Sequence, residues 1–407
     1  MIPFNKSFVT SKEAQYMQEA LQSGKLSGNG SFTQRCQAFF EARYGFKKTL
    51  LTTSGTDALE MAAMLCCLQP GDEVIVPSYT FVSSALAFVR ERAKIVFADS
   101  CSQHPNVDVA QLEKLITPRT KALVVVHYAG VACPMDEVMD LARRHNLLVI
   151  EDAAQAIDAH YKGRPLGTIG HLACFSFHET KNITAGGEGG MLVINDERFA
   201  HRAEMLWEKG TNRAEFFRGE VDKYGWKDVG SSFLPAEINA AFLFAQLENI
   251  GLIQARRKAI WQRYWQLLQP LAQQELIELP AIPSYATNNA HMFYLLCKDG
   301  EQRMRLIEHL KGNGVMAVSH YLALHKSPYY TAHATHTPTL PNSERLTDTL
   351  LRLPLFADMT EGIAQHVAQL VIQFYDNSQM ALHSAVDPCV KACETGSPMA
   401  EQKTHAL

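Results

Sequence analysis

The sequence has neither an excess of basic residues nor a long apolar run. Its 38 Lys and Arg residues stand against 42 Asp and Glu residues, which gives a formal net charge of −4. A nucleic-acid partner is not expected, because no basic excess or run of like charge would attract one. The longest apolar runs, such as residues 122–126, are far too short to span a bilayer, so no membrane partner is expected.

Cysteines with metal-type spacing and a secretory signal are also missing. The nine cysteines are an odd number, and two of them, Cys66 and Cys67, are adjacent. This usage is typical of reduced thiols in the cytosol rather than of a disulfide framework, and it predicts no metal site. Residues 1–10 contain no apolar core of a signal peptide, so a cytoplasmic location is predicted.

The sequence does contain a regular alternation of short apolar runs and amphipathic segments. The predicted strands are 73–76, 94–98, 122–127 and 147–151, and the predicted helices between them are 83–90, 108–116 and 135–145. This order predicts an α/β fold in which a mostly parallel sheet is covered by helices on both faces. Ligands bind at the carboxyl ends of the strands in such sheets.

The pattern changes near residue 250, which indicates a second domain. Long helical stretches at 236–247 and 256–271 lead into a strand–helix–strand pattern and a last helix that ends near residue 375. We predict a large domain over residues 1–250, including an N-terminal arm, and a smaller α+β domain over residues 251–375. Residues 376–407 are polar and aperiodic, which predicts a disordered tail.

The segment 174–191 carries the strongest chemical signal. A short aromatic run with strand character delivers Lys181, and a glycine-dense turn, 186–190, follows at once. A lysine held between two strands can be desolvated, lose its proton and attack a carbonyl, as Schiff-base lysines do. Considered alone, Lys181 is better interpreted as a salt-bridged lysine beside a hairpin, and only the other motifs reverse that preference.

A turn of small residues, Ser54-Gly55-Thr56, stands between a short apolar strand and a predicted helix. Free N–H groups, hydroxyl groups and the positive end of the helix dipole would make this turn a phosphate cradle. An ordinary N-cap explains the same residues, since Ser and Thr are common before helices. The turn alone therefore indicates an anion site only weakly.

Two further candidates follow predicted strands. Asp152 comes after the apolar run 147–150, where its carboxylate can pair with a ring nitrogen, and Gln155 lies three residues further on. A helix N-cap is an equally good interpretation of Asp152. Phe81 can stack on a flat ring, although a core phenylalanine is the commoner outcome at a strand end.

Six motifs together resemble the pyridoxal-phosphate-dependent sugar aminotransferases of the DegT/DnrJ/EryC1/StrS family. They are SGTDAL at 54–59, PSYTF at 77–81, EDAAQ at 151–155, FSFHETKN at 175–182, GGEGG at 186–190 and KGTNR at 209–213. The match is collinear from about residue 1 to residue 375. The resemblance implies the aspartate-aminotransferase-like fold, fold type I, and pyridoxal 5'-phosphate as cofactor.

The resemblance also implies a role for each candidate residue. Lys181 is implied to hold the cofactor as a Schiff base, and Asp152 to keep the pyridine nitrogen protonated. Gln155 is implied to contact the ring hydroxyl, and Phe81 to stack on the ring. The residues implied to bind the phosphate are Gly55, Thr56, Ser176 and, from the second subunit, Asn212. The last role predicts a homodimer with shared active sites, since the loop of Asn212 has no evident reason to hold an asparagine within its own subunit.

The substrates implied by the resemblance are L-glutamate and a dTDP-linked keto sugar. His320, Tyr321 and His325 lie where the family contacts the nucleotide sugar, although histidines beside strands are more often structural. A sugar dehydratase of the same fold is disfavoured, because histidine replaces the lysine there. The complete set of candidate residues disfavours a catalytically dead homologue. Aminotransferases that form the C4 gluco epimer, a 3-amino sugar or a GDP-linked amine stay open.

Overall fold

The protein, described here by a computed structural model, is built on a seven-stranded sheet and a separate three-stranded sheet. The structure describes residues 1–391, and for residues 378–391 it describes the backbone alone. The strands are β1 Thr49–Thr52, β2 Glu73–Pro77, β3 Lys94–Ala98, β4 Thr120–Val126, β5 Leu148–Asp152, β6 His160–Tyr161, β7 Arg164–Pro165, β8 Leu172–Ser176, β9 Gly190–Ile194, β10 Phe293–Leu296, β11 Val318–Ser319 and β12 Leu350–Leu353.

Helices cover both faces of the large sheet and one side of the small one. They are α1 Lys12–Gln22, α2 Ser31–Tyr44, α3 Gly55–Leu65, α4 Ser83–Arg90, α5 Val109–Leu112, α6 Met135–His145, α7 Ala200–Trp207, α8 Arg213–Phe217, α9 Glu237–Glu248, α10 Ile250–Gln273, α11 Gly300–Gly312, α12 Pro328–His333, α13 Pro341–Thr349 and α14 Glu361–Lys391. No helix of the described residues is both long enough and apolar enough to cross a membrane.

The large sheet has the order β1-β9-β8-β5-β4-β2-β3. Strands β3, β2, β4, β5 and β8 run parallel, and β9 lies antiparallel between β8 and β1. The prediction of a mostly parallel sheet is therefore confirmed. Because β2, β4, β5 and β8 point the same way, the residues that follow them meet at one edge of the sheet.

Burial on both faces explains why the sheet strands read as continuous apolar runs. In β4, Leu123 and Val125 pack into one core, which α2, α6 and α9 complete. The alternate residues, Ala122 and Val124, pack into the opposite core with α3, α4 and α7. This period of two is what places successive side chains of a strand in different layers.

The small sheet is antiparallel, in the order β10-β12-β11, and packs against α10, α11 and α14. Helix α10 passes between the two cores, with Ile253 in the core of the large sheet and Ile260 in that of the small sheet. The prediction that the whole N-terminal arm belongs to the large domain is wrong. Ile2 forms a parallel bridge to Val315, because its N–H donates to the Gly314 carbonyl at 2.7 Å.

The C-terminal part departs from its prediction in two ways. Strand β12 and helices α12 and α13 were not predicted, and the second strand of the predicted strand–helix–strand pattern is only Val318–Ser319. The last helix continues to Lys391, so the disordered tail predicted from residue 376 is helical over its first part. A helix already docked extends at little cost through a polar segment, since only its nucleation is costly. The rest of the predicted tail, 392–407, lies outside the described residues.

Candidate active site

A cavity of about 420 Å³, called the large cavity below, opens at the carboxyl edge of the parallel strands. Its walls are formed by residues that follow β1, β2, β4, β5 and β8, together with two small-residue turns. The lining residues are Ser54, Gly55, Thr56, Leu59, Thr80, Phe81, Ser83, Val126, Asp152, Ala154, Gln155, Ser176, His178, Thr180, Lys181, Glu188 and Tyr321. The structure thus brings together all the predicted cofactor-binding residues except Asn212.

The first wall is the N-terminus of α3. Ser54 caps this helix by accepting a hydrogen bond from the N–H of Asp57 at 3.0 Å, which leaves the turn at Gly55 and Thr56 facing the cavity. A Cβ atom on Gly55 would lie 2.8 Å from Cβ of Ser176, so glycine permits the close approach of the two strands' ends. The positive end of the α3 dipole and the hydroxyl groups of Thr56 and Ser176 form a cradle suited to a phosphate.

The glycine-dense turn after Lys181 has a steric reason that involves the same cradle. Gly190 begins β9, and a Cβ atom on it would lie 2.1 Å from the carbonyl oxygen of Ser54. Any larger residue there would push the cradle away from β9. The turn therefore serves the anion site as well as the hairpin between β8 and β9.

Asp152 ends β5 and points its carboxylate into the cavity, although the residue is only 6% exposed. One oxygen accepts a hydrogen bond from the Ser84 hydroxyl at 2.6 Å, and the other from the Ala154 N–H at 3.1 Å. No Lys or Arg of the described residues forms an ion pair with it. A buried carboxylate without a cationic partner is suited to pair with a protonated ring nitrogen.

Gln155 lies on the same wall and is held at both ends of its amide. Its oxygen accepts a hydrogen bond from the Ala129 N–H at 2.6 Å, and its NH₂ group donates to the Tyr321 hydroxyl at 3.1 Å. Phe81 forms the opposite wall with 55% of its surface exposed, its ring 6.1 Å from that of Tyr321. The alternative of a core phenylalanine is therefore wrong, and an apolar ring face is open to the cavity.

Lys181 reaches the cavity from the loop between β8 and β9. Within the part of the chain that the structure describes, its Nζ has no hydrogen bond or ion pair, so the salt-bridged interpretation is wrong. Burial lowers the pKa of Lys181 to about 8, while the charge of Asp152 raises this pKa and the charge of Arg352 lowers it. A substantial fraction of neutral amine is therefore present near physiological pH, as a nucleophile requires.

Two predicted residues are not brought to the large cavity. His325 is fully buried, and its ring nitrogens lie 2.7 Å from Oγ of Ser78 and 3.1 Å from a carboxylate oxygen of Glu344. Its predicted contact with a sugar is therefore not supported, since the two nitrogens already have partners. His320 stacks on Tyr321 with 3.5 Å between ring centroids, one layer behind the cavity wall.

Asn212 is also bonded within its own chain. Its NH₂ group donates to a carboxylate oxygen of Glu215 at 2.9 Å, and its oxygen accepts from the Gly225 N–H at 2.9 Å. The expectation that this loop has no reason to hold an asparagine within its own subunit is thus wrong, because Asn212 ties the loop together. Its contact with the phosphate of a second subunit stays a prediction.

The sequence analysis missed a second, smaller cavity on the other side of Lys181. This small cavity has a volume of about 120 Å³. Its lining residues are Phe4, Asn5, Gln155, Thr180, Lys181, Arg257, His291, Met292, Tyr321, Arg352, Leu353 and Leu355. Five of these twelve residues come from the arm, from α10 and from β12, and no motif spacing connects these segments. An arginine in an otherwise apolar run, Leu-Leu-Arg-Leu at 350–353, is the sequence signal that could have indicated it.

A phosphate cradle, an open aromatic face, a carboxylate without a cation and an unpaired lysine amine thus meet in one cavity. Gly55, Thr56 and Ser176 suit the phosphate of pyridoxal phosphate, Phe81 suits its ring, and Asp152 suits its ring nitrogen. A cavity of about 420 Å³ also lies within the range of small-molecule and cofactor sites. The fold and this site define an enzyme of the lysine-dependent, pyridoxal-phosphate class.

Comparison with known proteins narrows that class to one family. The model of the DegT/DnrJ/EryC1/StrS aminotransferase family matches residues 8–372. The chain belongs to this family, whose members are pyridoxal-phosphate-dependent sugar aminotransferases. The sequence-based predictions of the family, of the α/β fold and of the cofactor are therefore confirmed.

Three relatives illustrate the likeness. The chain is 35% identical over 355 residues to GDP-perosamine synthase of Caulobacter vibrioides, with 86% of this chain and 92% of that protein covered. It is 33% identical over 378 residues to the spore coat polysaccharide biosynthesis protein SpsC of Bacillus subtilis, with coverage of 91% and 96%. The crystal structure of S. venezuelae DesV in complex with a ketimine intermediate is 32% identical, has a TM-score of 0.84, and is matched over 92% of this chain and 98% of that one.

Proposed function

We propose that the protein transfers an amino group from L-glutamate to C4 of dTDP-4-keto-6-deoxy-D-glucose. The product would be dTDP-4-amino-4,6-dideoxy-D-galactose, made in the cytoplasm for surface polysaccharide. The unpaired amine of Lys181, opposite Asp152 and beside the cradle of α3, is the observation that carries the transaminase chemistry. The segments 1–5, 126–133 and 216–223 support the substrate, since they resemble the enteric dTDP-4-amino-4,6-dideoxygalactose transaminase of enterobacterial common antigen synthesis.

Four residues of the large cavity have defined tasks in this reaction. Bound pyridoxal phosphate supplies an electron sink for the charge that develops when the amino donor loses its α-proton. Lys181, as a neutral amine, takes that proton and later delivers a proton to C4 of the sugar from one face, which sets the stereochemistry. Asp152 keeps the ring nitrogen protonated through its charge. Gly55 and Ser176 hold the phosphate.

A GDP-linked 4-keto sugar is the second candidate substrate. The observation that favours it is the 35% identity to GDP-perosamine synthase over 86% of this chain. The C4 gluco epimer is a second candidate product. It differs from the galacto product only in which face of C4 receives the proton. A dehydratase or an inactive homologue is less well supported, since Lys181 and Asp152 are both present.

The test is a direct comparison of substrates. Purified holoenzyme is incubated with L-glutamate and either dTDP-4-keto-6-deoxy-D-glucose or the GDP-linked 4-keto sugar, and the configuration at C4 is read from NMR coupling constants. The proposal predicts an amine of the galacto configuration from the dTDP-linked sugar and at least about 10-fold lower kcat/KM with the GDP-linked one. A gluco product, or a preference for the GDP-linked sugar, would contradict it.

We further propose that the protein is a homodimer whose active sites are shared. The loop after α7 supports this proposal, because Phe217 is 68% exposed and Trp226 is 82% exposed. Exposed aromatic side chains that cluster in one loop are typical of a protein–protein interface. In this arrangement the loop that contains Asn212 lies against the phosphate cradle of the second subunit.

Mixed dimers test the sharing of sites. Lys181→Ala and Asn212→Ala subunits, each weakly active alone, are mixed under conditions in which subunit exchange is confirmed by mass. One site of each heterodimer then carries neither substitution, so activity should rise above that of either parent. No rise despite exchange, or a fully active monomer, would contradict the proposal. Because Asn212 also ties its own loop, the melting temperature of Asn212→Ala is measured as a control.

A further inference from the structure

The small cavity behind Lys181 is positively charged and has no acidic wall. Three cationic side chains line it, those of Lys181, Arg257 and Arg352, and none of its lining residues is Asp or Glu. In the large cavity, by contrast, Asp152 and Glu188 are both present. The two sides of the lysine therefore differ in sign.

The two arginines of the small cavity differ in their hydrogen bonds. Arg257 is fixed to the backbone, since Nε donates to the Ala290 carbonyl at 3.1 Å and Nη2 to the His291 carbonyl at 2.7 Å. Arg352 has a buried Nε without a partner, and among the described residues its guanidinium forms no hydrogen bond or ion pair. The ring of Phe4 lies 4.6 Å from the guanidinium carbon.

The groups around Arg352 do not neutralise it. Burial raises the pKa of the phenols of Tyr79, Tyr128 and Tyr321, so these side chains are uncharged at physiological pH. Burial also lowers the pKa of His291 well below its usual value, so that it is neutral. Arg352 is half-buried, and a largely desolvated cation without an anionic partner is costly. A ligand that supplies the anion recovers part of that cost.

The backbone of Arg352 is fixed by strand pairing on both sides. It lies in β12, the middle strand of the small sheet, opposite Tyr294 of β10 and Val318 of β11. The N-terminal arm closes the cavity over it, because the carbonyl of Phe4 accepts a hydrogen bond from Leu355 at 3.3 Å and the Asn5 amide donates to the Glu179 carbonyl at 3.0 Å. The planar guanidinium fork on this fixed backbone is suited to bidentate recognition of a carboxylate.

We propose that Arg352 binds a carboxylate of the amino-acid donor in the small cavity and so presents the donor's nitrogen beside Lys181. The inference rests on the proposed function for the amino donor and goes beyond it in naming the donor site. At about 120 Å³ the cavity admits a carboxylate with its neighbouring carbons, whereas a nucleotide sugar needs a site of several hundred Å³. The nucleotide sugar therefore approaches through the large cavity.

Arg352→Gln tests this role without removing the side chain's bulk. The holoenzyme is mixed with L-glutamate in the absence of any sugar, and the change in the cofactor's absorbance is followed against glutamate concentration. We expect the half-saturating concentration of glutamate to rise between about 10- and about 100-fold, the usual effect of losing a hydrogen-bonded charge partner. The reverse half-reaction, started with the amino sugar, should change less than about 3-fold.

Four further measurements distinguish a role in recognition from a role in structure. Glutarate, a dicarboxylate that cannot react, should bind more weakly to Arg352→Gln by calorimetry, by a similar factor. Arg352→Lys keeps the charge but not the fork, so its affinity should be intermediate. Arg345→Gln is the matched control, because Arg345 pairs with Glu278 at 2.7 Å and does not line the small cavity. The melting temperature of Arg352→Gln should not fall, since the substitution removes an uncompensated charge.

Several outcomes would overturn the inference. They are unchanged glutamate affinity in Arg352→Gln, equal losses in both half-reactions, or equal effects of Arg352→Gln and Arg345→Gln. A holoenzyme whose absorbance responds to no amino acid would overturn it too. If the cofactor's absorbance responds to glutamate in an Arg352-dependent way but neither nucleotide-linked sugar is aminated, the proposed function is wrong and the donor site is supported. If the sugar is aminated from glutamate without any dependence on Arg352, the donor site is wrong and the proposed function is supported.

Discussion

The large and the small cavity meet at Lys181, and they differ in origin and in charge. Both are lined by Gln155, Thr180, Lys181 and Tyr321. The large cavity is otherwise built mainly from residues at the strand ends of the seven-stranded sheet, and it contains Asp152. The small cavity is closed by the N-terminal arm and the three-stranded sheet, and it contains Arg352 instead. A lysine between an anionic and a cationic wall can serve a cationic ring on one side and an anionic donor on the other.

The largest expected effect comes from removing the group that both cavities share. Lys181→Ala should lower turnover at least about 10³-fold, because in the proposed function the same amine binds the cofactor covalently and moves the donor's proton. Turnover is measured with glutamate and the keto sugar. In the wild type, borohydride should fix the chromophore to a peptide that contains Lys181.

The corresponding control is the neighbouring Thr180, which lines both cavities but has no nucleophilic amine. Thr180→Ala should keep the borohydride-fixed chromophore. If Lys181→Ala retained full turnover, or if the label were found on another lysine, the identification of the cofactor lysine would be wrong.

The second effect belongs to the large cavity alone. Asp152→Asn keeps the shape of the side chain but removes its charge, so turnover should fall at least about 10²-fold. Cofactor affinity should change far less, since the phosphate cradle is separate. Both quantities are measured on the same preparation, by steady-state kinetics and by cofactor titration.

Ser84→Ala provides the comparison for Asp152. It removes the hydrogen bond of 2.6 Å to the carboxylate and leaves the charge in place. We expect a loss of only about 10-fold, the effect of one hydrogen bond to a charged group. Unchanged turnover in Asp152→Asn would show that Asp152 is only a helix cap.

A third, smaller effect is expected at the cradle. Gly55→Ala introduces a Cβ atom 2.8 Å from Cβ of Ser176, so the two sides of the phosphate site must separate. The dissociation constant of the cofactor should rise about 10-fold, because overpacking of a close contact commonly costs about 1–3 kcal/mol. Equilibrium dialysis with the apoprotein measures it.

The control for Gly55→Ala is a glycine in another helix. A Cβ atom on Gly251, in α10, would have no neighbour within 4 Å, so Gly251→Ala should leave cofactor affinity unchanged. Equal effects of the two substitutions would show that Gly55 matters for helix formation rather than for the cofactor.

The smallest expected effect is a shift in the pH dependence of cofactor recombination. It tests whether Asp152 and Arg352 act on Lys181 in opposite directions. The neutral amine of Lys181 is the reactive form, so recombination of the apoprotein with pyridoxal phosphate should slow as the pH falls below the lysine's pKa of about 8. Arg352→Gln removes a charge that lowers this pKa, so the profile should move to higher pH. Asp152→Asn removes a charge that raises it, so the profile should move to lower pH.

Stopped-flow absorbance over about four pH units centred on the pKa of Lys181 measures these profiles. Shifts in the same direction for both variants would show that the two charges do not act on Lys181 from opposite walls. A wild-type midpoint near that of a free lysine would contradict the burial of the amine.

The same contrast explains what the sequence could predict. The large cavity was predictable because its residues follow strands that the apolar pattern reveals, and parallel strands bring their carboxyl ends together. Asp152 and Gln155 were found in this way, although an N-cap explained Asp152 equally well. Considered alone, Lys181 and Phe81 were each the less favoured of two interpretations. Gly190 was found as part of a turn, but its contact with Ser54 depends on how β9 passes the cradle.

The small cavity could not be predicted, since its walls are distant in sequence. Phe4 and Arg352 meet only because the arm crosses onto the small sheet, and β12 is a strand that the pattern did not reveal. The error at His325 has a related cause. Its partners, Ser78 and Glu344, come from separate segments, and a motif cannot show whether a histidine faces a ligand or two buried side chains.

The central claim is that the large cavity holds the cofactor and the small cavity holds the amino donor, with Lys181 between them. Measuring the affinity of both ligands in a variant of each cavity tests this claim most directly. The dissociation constants of pyridoxal phosphate and of glutarate are determined for Ser176→Ala, from the large cavity, and for Arg352→Gln, from the small one. The account predicts that Ser176→Ala weakens binding of the cofactor alone, by about 10-fold, and that Arg352→Gln weakens binding of the dicarboxylate alone, by at least that factor. Equal weakening of both ligands by either variant would contradict it.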